Sequence, residues 1–273
     1  MTLYSYNGRA GTAHTKEGMP ADCGYGMSGG AVFTIMSYNV GAWYYNGYEM
    51  PSALYTQYYN LQKSIFYKYQ PDFVGIQEYF SAIGDKSAEK FLADYFVSSF
   101  TVDRYPTAGR AIASKYEITD ITDNPYENQY GEMRYYIKGY ITVSGKKVCV
   151  ISTHLCHLGE YMYPQAAELA AIAAQEEYCI ITGDFNADIN TEAGYAGIVK
   201  RFTDAGLVAA NGGEFGVINT HHDTETGGWR AIDAIFVTPN IKLVSVFADQ
   251  TKVTDDIDMT IDHVPLVAHV LID

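Results

Sequence analysis

The chain has 273 residues, of which 48% are hydrophobic and 18% are charged, and its net charge at pH 7 is −14. This length and composition fit a globular protein with one large domain or two small ones. The excess of acid argues against non-specific binding of duplex DNA, which needs clustered Lys and Arg, but not against a site that handles phosphate through metal ions.

No apolar run reaches the ~20 residues that a membrane helix needs, and the N-terminus lacks the basic start and apolar stretch of a signal peptide. We therefore expect a cytoplasmic monomer without a membrane span, although a leader removed earlier would leave the same sequence. The four cysteines lack the paired spacing of a zinc site, which predicts reduced thiols.

Residues 1–30 are rich in Gly, Ser, Thr and Met and show no hydrophobic period. They predict an irregular N-terminal arm ahead of a domain at residues 31–273. The domain begins with residues 33–40, which alternate like a strand and carry Asn39 near their end.

The next elements alternate between helix and strand. Residues 52–69 carry apolar side chains at helical spacing, and residues 72–78 are a short apolar strand that ends at Glu78. A second helix is predicted at residues 86–97 and a short strand at residues 110–114.

A hairpin follows. Residues 132–143 and 147–153 are strand-like and flank a tight Ser-Gly-Lys turn, and the second strand runs into His154. Residues 164–177 are rich in Ala and predict a helix with its proline in the first turn.

The most informative stretch is residues 178–186, where an apolar run with β-branched residues ends in Gly-Asp-Phe-Asn. In an extended segment Asp184 and Asn186 would point the same way, because side chains alternate with period two. A helix at residues 192–205 and a polar, Gly-rich loop at residues 211–228 come next.

The last strands are residues 231–237, which carry Asp233, residues 241–248, and residues 261–271, which begin with Asp262 and His263. Hairpins occur together with strand–helix–strand units, so a mixed-sheet α/β sandwich is favoured over a purely parallel fold. No linker interrupts residues 31–273, which favours one domain.

Acids, amides and histidines therefore recur at the ends of apolar strands. Each alone has an ordinary explanation, such as a turn cap or a core histidine. Buried carboxylates are costly unless they are paired or bound to metal, however, so the repetition predicts one shared polar pocket.

The same residues carry a family resemblance. Ser-Tyr-Asn-Val, Gly-Ile-Gln-Glu, Ser-Thr-His-Leu, Gly-Asp-Phe-Asn, Ile-Asp-Ala-Ile-Phe and Ile-Asp-His-Val-Pro occur in this order, and Gly-Arg-Ala-Ile-Ala-Ser at residues 109–114 joins them. Together they resemble the endonuclease/exonuclease/phosphatase superfamily over residues 33–271. The resemblance implies a deoxyribonuclease I-like, four-layer α/β sandwich with two mixed β-sheets flanked by helices.

It also implies hydrolysis of a phosphate ester with a divalent metal, usually Mg²⁺, with Mn²⁺ as an alternative. The implied metal residues are Glu78, Asn39 and Asp262. The implied catalytic residues are a general base, its orienting acid, and groups that position water and phosphate: His263, Asp233, His154, Asp184 and Asn186. Whether His263 or Asp184 is the base is left open.

Departures from the family pattern narrow the choice of substrate only a little. Ile261 replaces the Ser that commonly precedes the Asp-His pair. The polar loop before the Asp233 strand carries Trp229 and Arg230, which could stack on a base or hold a phosphate, or simply be solvated. His157 either lines the pocket or lies at a helix entry.

The leading hypothesis is a phosphodiesterase acting on nucleic acid or nucleotides. The alternatives are a phosphomonoesterase or sphingomyelinase-like phospholipase on a small or lipid phosphate, and a non-catalytic binding module that kept the fold. The intact set of polar residues argues against the last.

Overall fold

The computed structural model describes residues 13–15, 32–41, 52–79, 92–100, 109–129, 134–223, 227–250 and 262–273. Within these ranges two β-sheets pack face to face, and helices cover both outer faces. The predicted four-layer α/β sandwich is confirmed.

The strands, in chain order, are β1 (Ala13–Thr15), β2 (Val32–Asn39), β3 (Phe73–Gln77), β4 (Phe96–Phe100), β5 (Arg110–Ser114), β6 (Thr119–Pro125), β7 (Tyr135–Val143), β8 (Lys146–His154), β9 (Cys179–Asp184), β10 (Val208–Ala209), β11 (His221–His222), β12 (Trp229–Arg230), β13 (Asp233–Val237), β14 (Ile241–Ala248) and β15 (Leu266–Ile272). The helices are α1 (Ser52–Tyr69), α2 (Gly159–Ala173), α3 (Glu192–Gly194) and α4 (Arg201–Asp204), and a π-helical segment, Tyr195–Lys200, joins the last two.

Both large sheets are mixed. The first runs β1-β14-β15-β2-β3-β5-β4, and the second runs β10-β13-β9-β8-β7-β6. In each sheet one central pair is parallel, β2 with β3 and β8 with β9, whereas the other pairs are antiparallel. The carboxyl ends of a parallel pair meet at one sheet edge, so these two pairs bring four strand ends to the same end of the sandwich.

Three apolar clusters hold the layers together. The largest lies between the sheets and joins residues such as Ile35 and Ile112 to Val150 and Ile180. The second packs α2 on the six-stranded sheet, and the third packs α1 on the seven-stranded sheet. The helical period of residues 52–69 is thus explained, because Leu61 and the residues in step with it face a sheet.

The two sheets approach each other closely at Gly75 in β3. A Cβ atom there would lie 1.8 Å from Oγ1 of Thr182 in the opposite sheet and 2.9 Å from Cβ of Ser152. Two residues further along, the Nε2 atom of Gln77 donates a hydrogen bond of 3.0 Å to Oγ of Ser152. This contact ties the two sheets together directly beneath the strand ends.

The predicted β7–β8 hairpin is confirmed, although Lys146 belongs to β8 and not to the turn. Val143 pairs with Lys146, and the two residues between them have positive φ, 51° for Ser144 and 78° for Gly145. Such a two-residue turn matches the right-handed twist of the flanking strands.

The helix predicted at residues 86–97 is wrong at residues 92–97, which are the part of it that the structure describes. Residues 80–91 lie outside the described residues, and Phe96–Phe100 forms the edge strand β4, paired antiparallel with β5. The available partner strand overrode the local helical pattern. Strand β6 was not predicted either, and most of its residues are exposed, which leaves no strong alternation to detect.

Helix α2 begins five residues before the predicted start and ends at Ala173 instead of residue 177, so Pro164 lies inside the helix and not in its first turn. The proline lacks an N–H group and forfeits the helical bond to the carbonyl of Glu160. Because this position is near the helix start, one lost bond is tolerated.

Within the segment for which irregular structure was predicted, Ala13–Thr15 adds strand β1 to the edge of β14. The rest of residues 1–30 lies outside the described residues, and the domain boundary at residue 31 stays a prediction.

Cys149, Cys156 and Cys179 are buried free thiols, as expected. Among the described helices, none is long and apolar enough to cross a membrane.

Candidate active site

The four central strand ends place their polar side chains in one cluster. Asn39 ends β2, Glu78 follows β3, His154 ends β8 and Asp184 ends β9. All four polar side chains are buried, and the strands that carry them are otherwise mostly apolar. The prediction that these residues share a pocket rested on their positions at strand ends, and the structure brings them together.

Asp184 is the centre of the cluster. Its Oδ2 atom accepts a hydrogen bond of 2.9 Å from Nδ2 of Asn39 and lies 3.4 Å from Nε2 of both His154 and His263. Burial raises the pKa of this carboxyl, but the positive charges of His154 and His263 together with the hydrogen bonds from Asn186 and Asn39 outweigh burial, so the pKa is lowered overall. Asp184 is therefore a carboxylate at neutral pH and a weak base.

His263 lies between two carboxylates. Its Nδ1 atom is 2.8 Å from Oδ2 of Asp233, and its Nε2 atom faces Asp184 and also lies 3.4 Å from Nδ2 of Asn39. Burial lowers the pKa of the imidazole, but the charges of Asp233, Asp184 and Asp262 more than offset it and hold the pKa well above its ordinary value. Burial raises the pKa of Asp233 to about 6.

The backbone of Asp233 is clamped by two buried side chains. Its N–H donates to Oγ1 of Thr220 at 3.1 Å, and its carbonyl accepts from Nδ2 of Asn211 at 2.9 Å. Asn211 also holds Ile218 through two further bonds, which shapes the loop that returns to β13. These contacts fix the carboxylate that holds His263.

Glu78 and Asp262 supply carboxylate oxygens with unfilled bonding capacity. The Oε1 atom of Glu78 accepts from Asn39 at 3.2 Å, whereas its Oε2 atom and Oδ1 of Asp262 are buried and have no hydrogen-bond partner among the described residues. Burial and the charge of Asp262 raise the pKa of Glu78 to about 8.

Buried carboxylate oxygens without partners are costly in a protein, and they are the ligands that a hard divalent cation takes. Oxygens of this kind fit the divalent cation that the family resemblance implies, and Glu78, Asn39 and Asp262 stay its predicted ligands.

Two residues of the cluster have left-handed backbone conformations. The backbone φ is 53° at Glu78 and 55° at Asn186. Residues other than Gly adopt such values at a cost in conformational energy. Because the strand ends at Asp184, the two-residue period does not orient Asn186. Its N–H instead donates to Oδ1 of Asp184 at 2.9 Å, and its Nδ2 atom donates to the carbonyl of Leu155 at 2.8 Å.

His221 lies beside the cluster and was not predicted. It begins β11, forms a bridge with His263, and its ring meets the His263 ring at a centroid distance of 4.7 Å and an angle of 76°. Burial and the positive charges of His263 and Arg230 lower the pKa of His221 to about 3, so the ring is neutral. Two adjacent histidines in a chain with only seven, just before the Asp233 strand, were the available indication.

The other residues suggested for substrate contact occupy different surroundings. Arg230 is 44% exposed, pairs with His221 across the β11–β12 hairpin and forms an ion pair of 3.2 Å with Asp223. Trp229 packs edge-on against His222. His157 is exposed.

Comparison with known proteins gives a family. The model described as the Endonuclease/Exonuclease/phosphatase family matches residues 58–255. No curated protein is similar enough in sequence to count as a relative.

Several solved structures share the fold. An endonuclease/exonuclease/phosphatase from Bacteroides vulgatus has a TM-score of 0.70 at 19% identity, over 89% of this chain and 100% of that one. The mannosyl-6-phosphatase of Bacteroides thetaiotaomicron has a TM-score of 0.66 at 18% identity, over 88% and 99%. D. rerio TDP2, complexed with a single-strand DNA product, has a TM-score of 0.65 at 17% identity, over 88% and 98%.

Proposed function

The chain belongs to the endonuclease/exonuclease/phosphatase family, and from that premise we propose that it is a phosphoester hydrolase that cleaves phosphodiesters with a divalent cation. The observation that carries the proposal is the hydrogen bond of 2.8 Å between Nδ1 of His263 and Oδ2 of Asp233, with Nε2 of the same ring directed at the cluster. This is the arrangement of a base held by an acid.

In the proposed reaction the neutral form of His263 accepts a proton at Nε2 from the attacking water. Asp233 fixes the tautomer by accepting from Nδ1 and stabilises the imidazolium that forms. The water oxygen forms the new bond to phosphorus, and the ester oxygen departs with the electron pair of the broken bond and is protonated by solvent. His263 is a better base than Asp184, because the lowered pKa of Asp184 makes that carboxylate weakly basic.

The remaining groups orient the phosphate and the water. The amide of Asn186 has one N–H beyond the bond to Leu155, and His154 lies beside Asp184, so both are placed to donate to oxygens that gain charge. Asn39 aligns Glu78 with Asp184 through its Nδ2 atom. A cation held by Glu78, Asn39 and Asp262 would neutralise phosphate charge and polarise the phosphoryl group.

Nucleic acid in single strands and nucleotides are the preferred substrates within this proposal. The net charge of −14 disfavours duplex DNA, since no excess of cations is present to replace its counterions. The similarity of fold to TDP2 with a single-strand DNA product is compatible with that choice.

A phosphomonoesterase is the second candidate. Arg230 is half exposed on the hairpin beside His263. Its planar guanidinium can donate two parallel hydrogen bonds to the oxygens of a terminal phosphate. The similarity of fold to a mannosyl-6-phosphatase fits this alternative. In both candidates the cleaved bond is a phosphate ester and the hydrolytic residues are the same.

An activity screen with Mg²⁺ tests the proposal. The substrates are single-stranded DNA, RNA, bis-nitrophenyl phosphate, nitrophenyl phosphate, sphingomyelin and inositol phosphates, each with and without EDTA. We expect turnover of the diesters that is lost with EDTA and in His263→Ala, and kept in Asp204→Asn, a control on the exposed surface. Turnover of the monoester alone selects the second candidate, and no turnover of any substrate contradicts both.

A further inference from the structure

Helix α2 buries one amide side chain among apolar neighbours. Gln165 is fully buried, whereas other buried side chains of the helix, such as Ala166 and Leu169, are apolar. A buried amide is costly unless both its ends are hydrogen-bonded, and here both are. The Oε1 atom of Gln165 accepts from the N–H of Cys156 at 2.9 Å, and its Nε2 atom donates to the carbonyl of Asn128 at 2.7 Å. Gln165 therefore ties α2 to the loop after β8 and to the loop after β6.

The bond to Cys156 falls on a peptide group that also holds Asn186. The N–H of Cys156 and the carbonyl of Leu155 belong to the same planar peptide group. The N–H donates to Gln165, and the carbonyl accepts from Nδ2 of Asn186 at 2.8 Å. Because the N–H and the carbonyl of a trans peptide point in opposite directions, a partner that fixes one of them also fixes the other.

We propose that Gln165 is a positioning residue, which sets the orientation of the Asn186 side chain through the peptide group between Leu155 and Cys156. This inference rests on the proposed function, in which the second N–H of the Asn186 amide donates to a phosphate oxygen. Gln165 acts through the peptide group and not by contact with the substrate.

The partners of each group allow only one orientation. The carbonyl of Asn128 can only accept, so Nε2 of Gln165 faces it and Oε1 is left to face Cys156. The N–H of Cys156 then points to Gln165, which turns the carbonyl of Leu155 toward Asn186. Opposite a carbonyl, the Asn186 amide must present its nitrogen and not its oxygen. The order of donors and acceptors is thus set from Asn128 to Asn186.

Both loops are also held by bonds that do not involve Gln165. The N–H of Leu155 donates to the carbonyl of Asp184 at 3.0 Å, and the N–H of Glu127 donates to Oε2 of Glu168 at 3.0 Å. Glu168 lies about one helical turn after Gln165 on α2. The removal of the Gln165 amide should therefore release the peptide group without unfolding either loop.

The orientation of the Asn186 side chain matters because its backbone is already fixed. The N–H of Asn186 donates to Oδ1 of Asp184 at 2.9 Å, so the side-chain torsions are the freedom that remains. The bond to Leu155 removes that freedom. A donor stabilises developing charge best when it is oriented before the reaction begins. A loss of orientation should therefore lower kcat more than it raises KM.

NMR spectra of the chain without substrate test the orientation directly. Gln165→Met keeps the length of the side chain and removes both polar ends. In this variant the side-chain amide signals of Asn186 should shift, and their protons should exchange faster with solvent. Gln175→Met is the matched control, since Gln175 is exposed just beyond the end of α2, and it should leave these signals in place. Unchanged Asn186 signals in folded Gln165→Met would overturn the proposal.

A double-mutant cycle on a diester substrate tests the consequence for catalysis. Misplacement by ~1 Å can cost about 100-fold, so Gln165→Met should lower kcat by roughly 10–100-fold with little change in KM. In an Asn186→Ala background the same substitution should have no further effect. Multiplicative losses in kcat would show a merely structural role and overturn the proposal. If the unaltered protein turns over no diester, the proposed function fails, whereas the NMR comparison still decides whether Gln165 orients Asn186.

Hydrogen exchange in the unaltered protein does not depend on the folding of a variant. The N–H of Cys156 lies beyond the end of β8, yet its bond to Gln165 should make it exchange as slowly as the paired amides of β8 and β9. Exchange of this amide at the rate of an exposed loop would show that Gln165 does not hold the peptide group and would contradict the assignment.

Discussion

Nδ1 of His263 lies 2.8 Å from Oδ2 of Asp233, although the two residues belong to different sheets. Asp233 begins β13 of the six-stranded sheet, and His263 precedes β15 of the seven-stranded sheet. The pair therefore exists only because the sheets pack face to face. A change that shifts one sheet against the other would also separate the proposed base from its acid.

The first prediction concerns this pair. If Asp233 acts through His263, Asp233→Asn and His263→Ala remove the same contribution, and the double variant should be about as slow as His263→Ala alone. Each loss should be roughly 10²–10⁴-fold in kcat, the usual value of general-base help. Steady-state kinetics at saturating Mg²⁺ check this. Multiplicative losses would show that the residues act separately and would favour Asp184 as the base.

The second prediction concerns the titration of His263. The carboxylates around its ring hold its pKa above the ordinary ~6.5, and a base must be neutral, so the acid limb of kcat/KM should lie above pH 6.5 in low Mg²⁺. NMR titration of the metal-free protein should give the same midpoint. Asp233→Asn removes a negative charge and should lower it, and Mg²⁺ should lower it too. A midpoint at or below 6.5 in the metal-free protein would contradict the geometry.

Stability should depend on pH through the same groups. His263 has a raised pKa in the folded state, so its stabilising charge is fully present below about pH 6.5 and is lost as the pH rises through the folded pKa. Glu78 acts in the same direction, because its raised pKa of about 8 makes ionisation unfavourable in the fold. Urea unfolding of the metal-free protein should show a falling free energy from pH 6.5 to 8, and saturating Mg²⁺ should reduce the slope. A free energy that is flat or rising in this range would be inconsistent with both shifts.

The role of Glu78 as a metal ligand is the fourth prediction. Glu78→Gln keeps the shape of the side chain and its contact with Asn39 but removes the charge, so calorimetry should show Mg²⁺ affinity reduced at least tenfold. Glu192→Gln makes the same change at an exposed position and should bind Mg²⁺ normally. Unchanged Mg²⁺ affinity in Glu78→Gln would contradict the assignment of Glu78 as a metal ligand.

The fifth prediction concerns the close approach of the sheets. Gly75→Ala would place a Cβ atom 1.8 Å from Oγ1 of Thr182, and relief requires the sheets or their side chains to shift. Overpacking of this kind typically costs about 1–3 kcal/mol of unfolding free energy. Gly159→Ala, at the start of α2, meets only the flexible ring of Tyr163 at 3.3 Å and should be nearly neutral. Equal stability of the two variants in urea would show that the approach is not restrictive.

Local patterns were enough to predict much of the fold. Alternation and short apolar runs located β2, β3, β9 and β14, and the Ser-Gly turn located the β7–β8 hairpin, because each depends on neighbours in the chain. Recurrence of polar residues at strand ends indicated a shared pocket, and the ordered motifs indicated the family. These features can be predicted from sequence because each depends on residues that lie close together in the chain.

Other features were decided only by the tertiary structure. Residues 96–97 became strand because β5 offers them a partner, and Pro164 was accommodated inside α2, where a single helical bond is lost. His221 was marked in the sequence only by its neighbour His222, and it lies beside His263 because two segments some forty residues apart pair. Sequence by itself determined which residues end the strands; the packing of the two sheets and the hairpin decided which of those residues touch, because contacts between distant segments depend on the register and burial of the whole core.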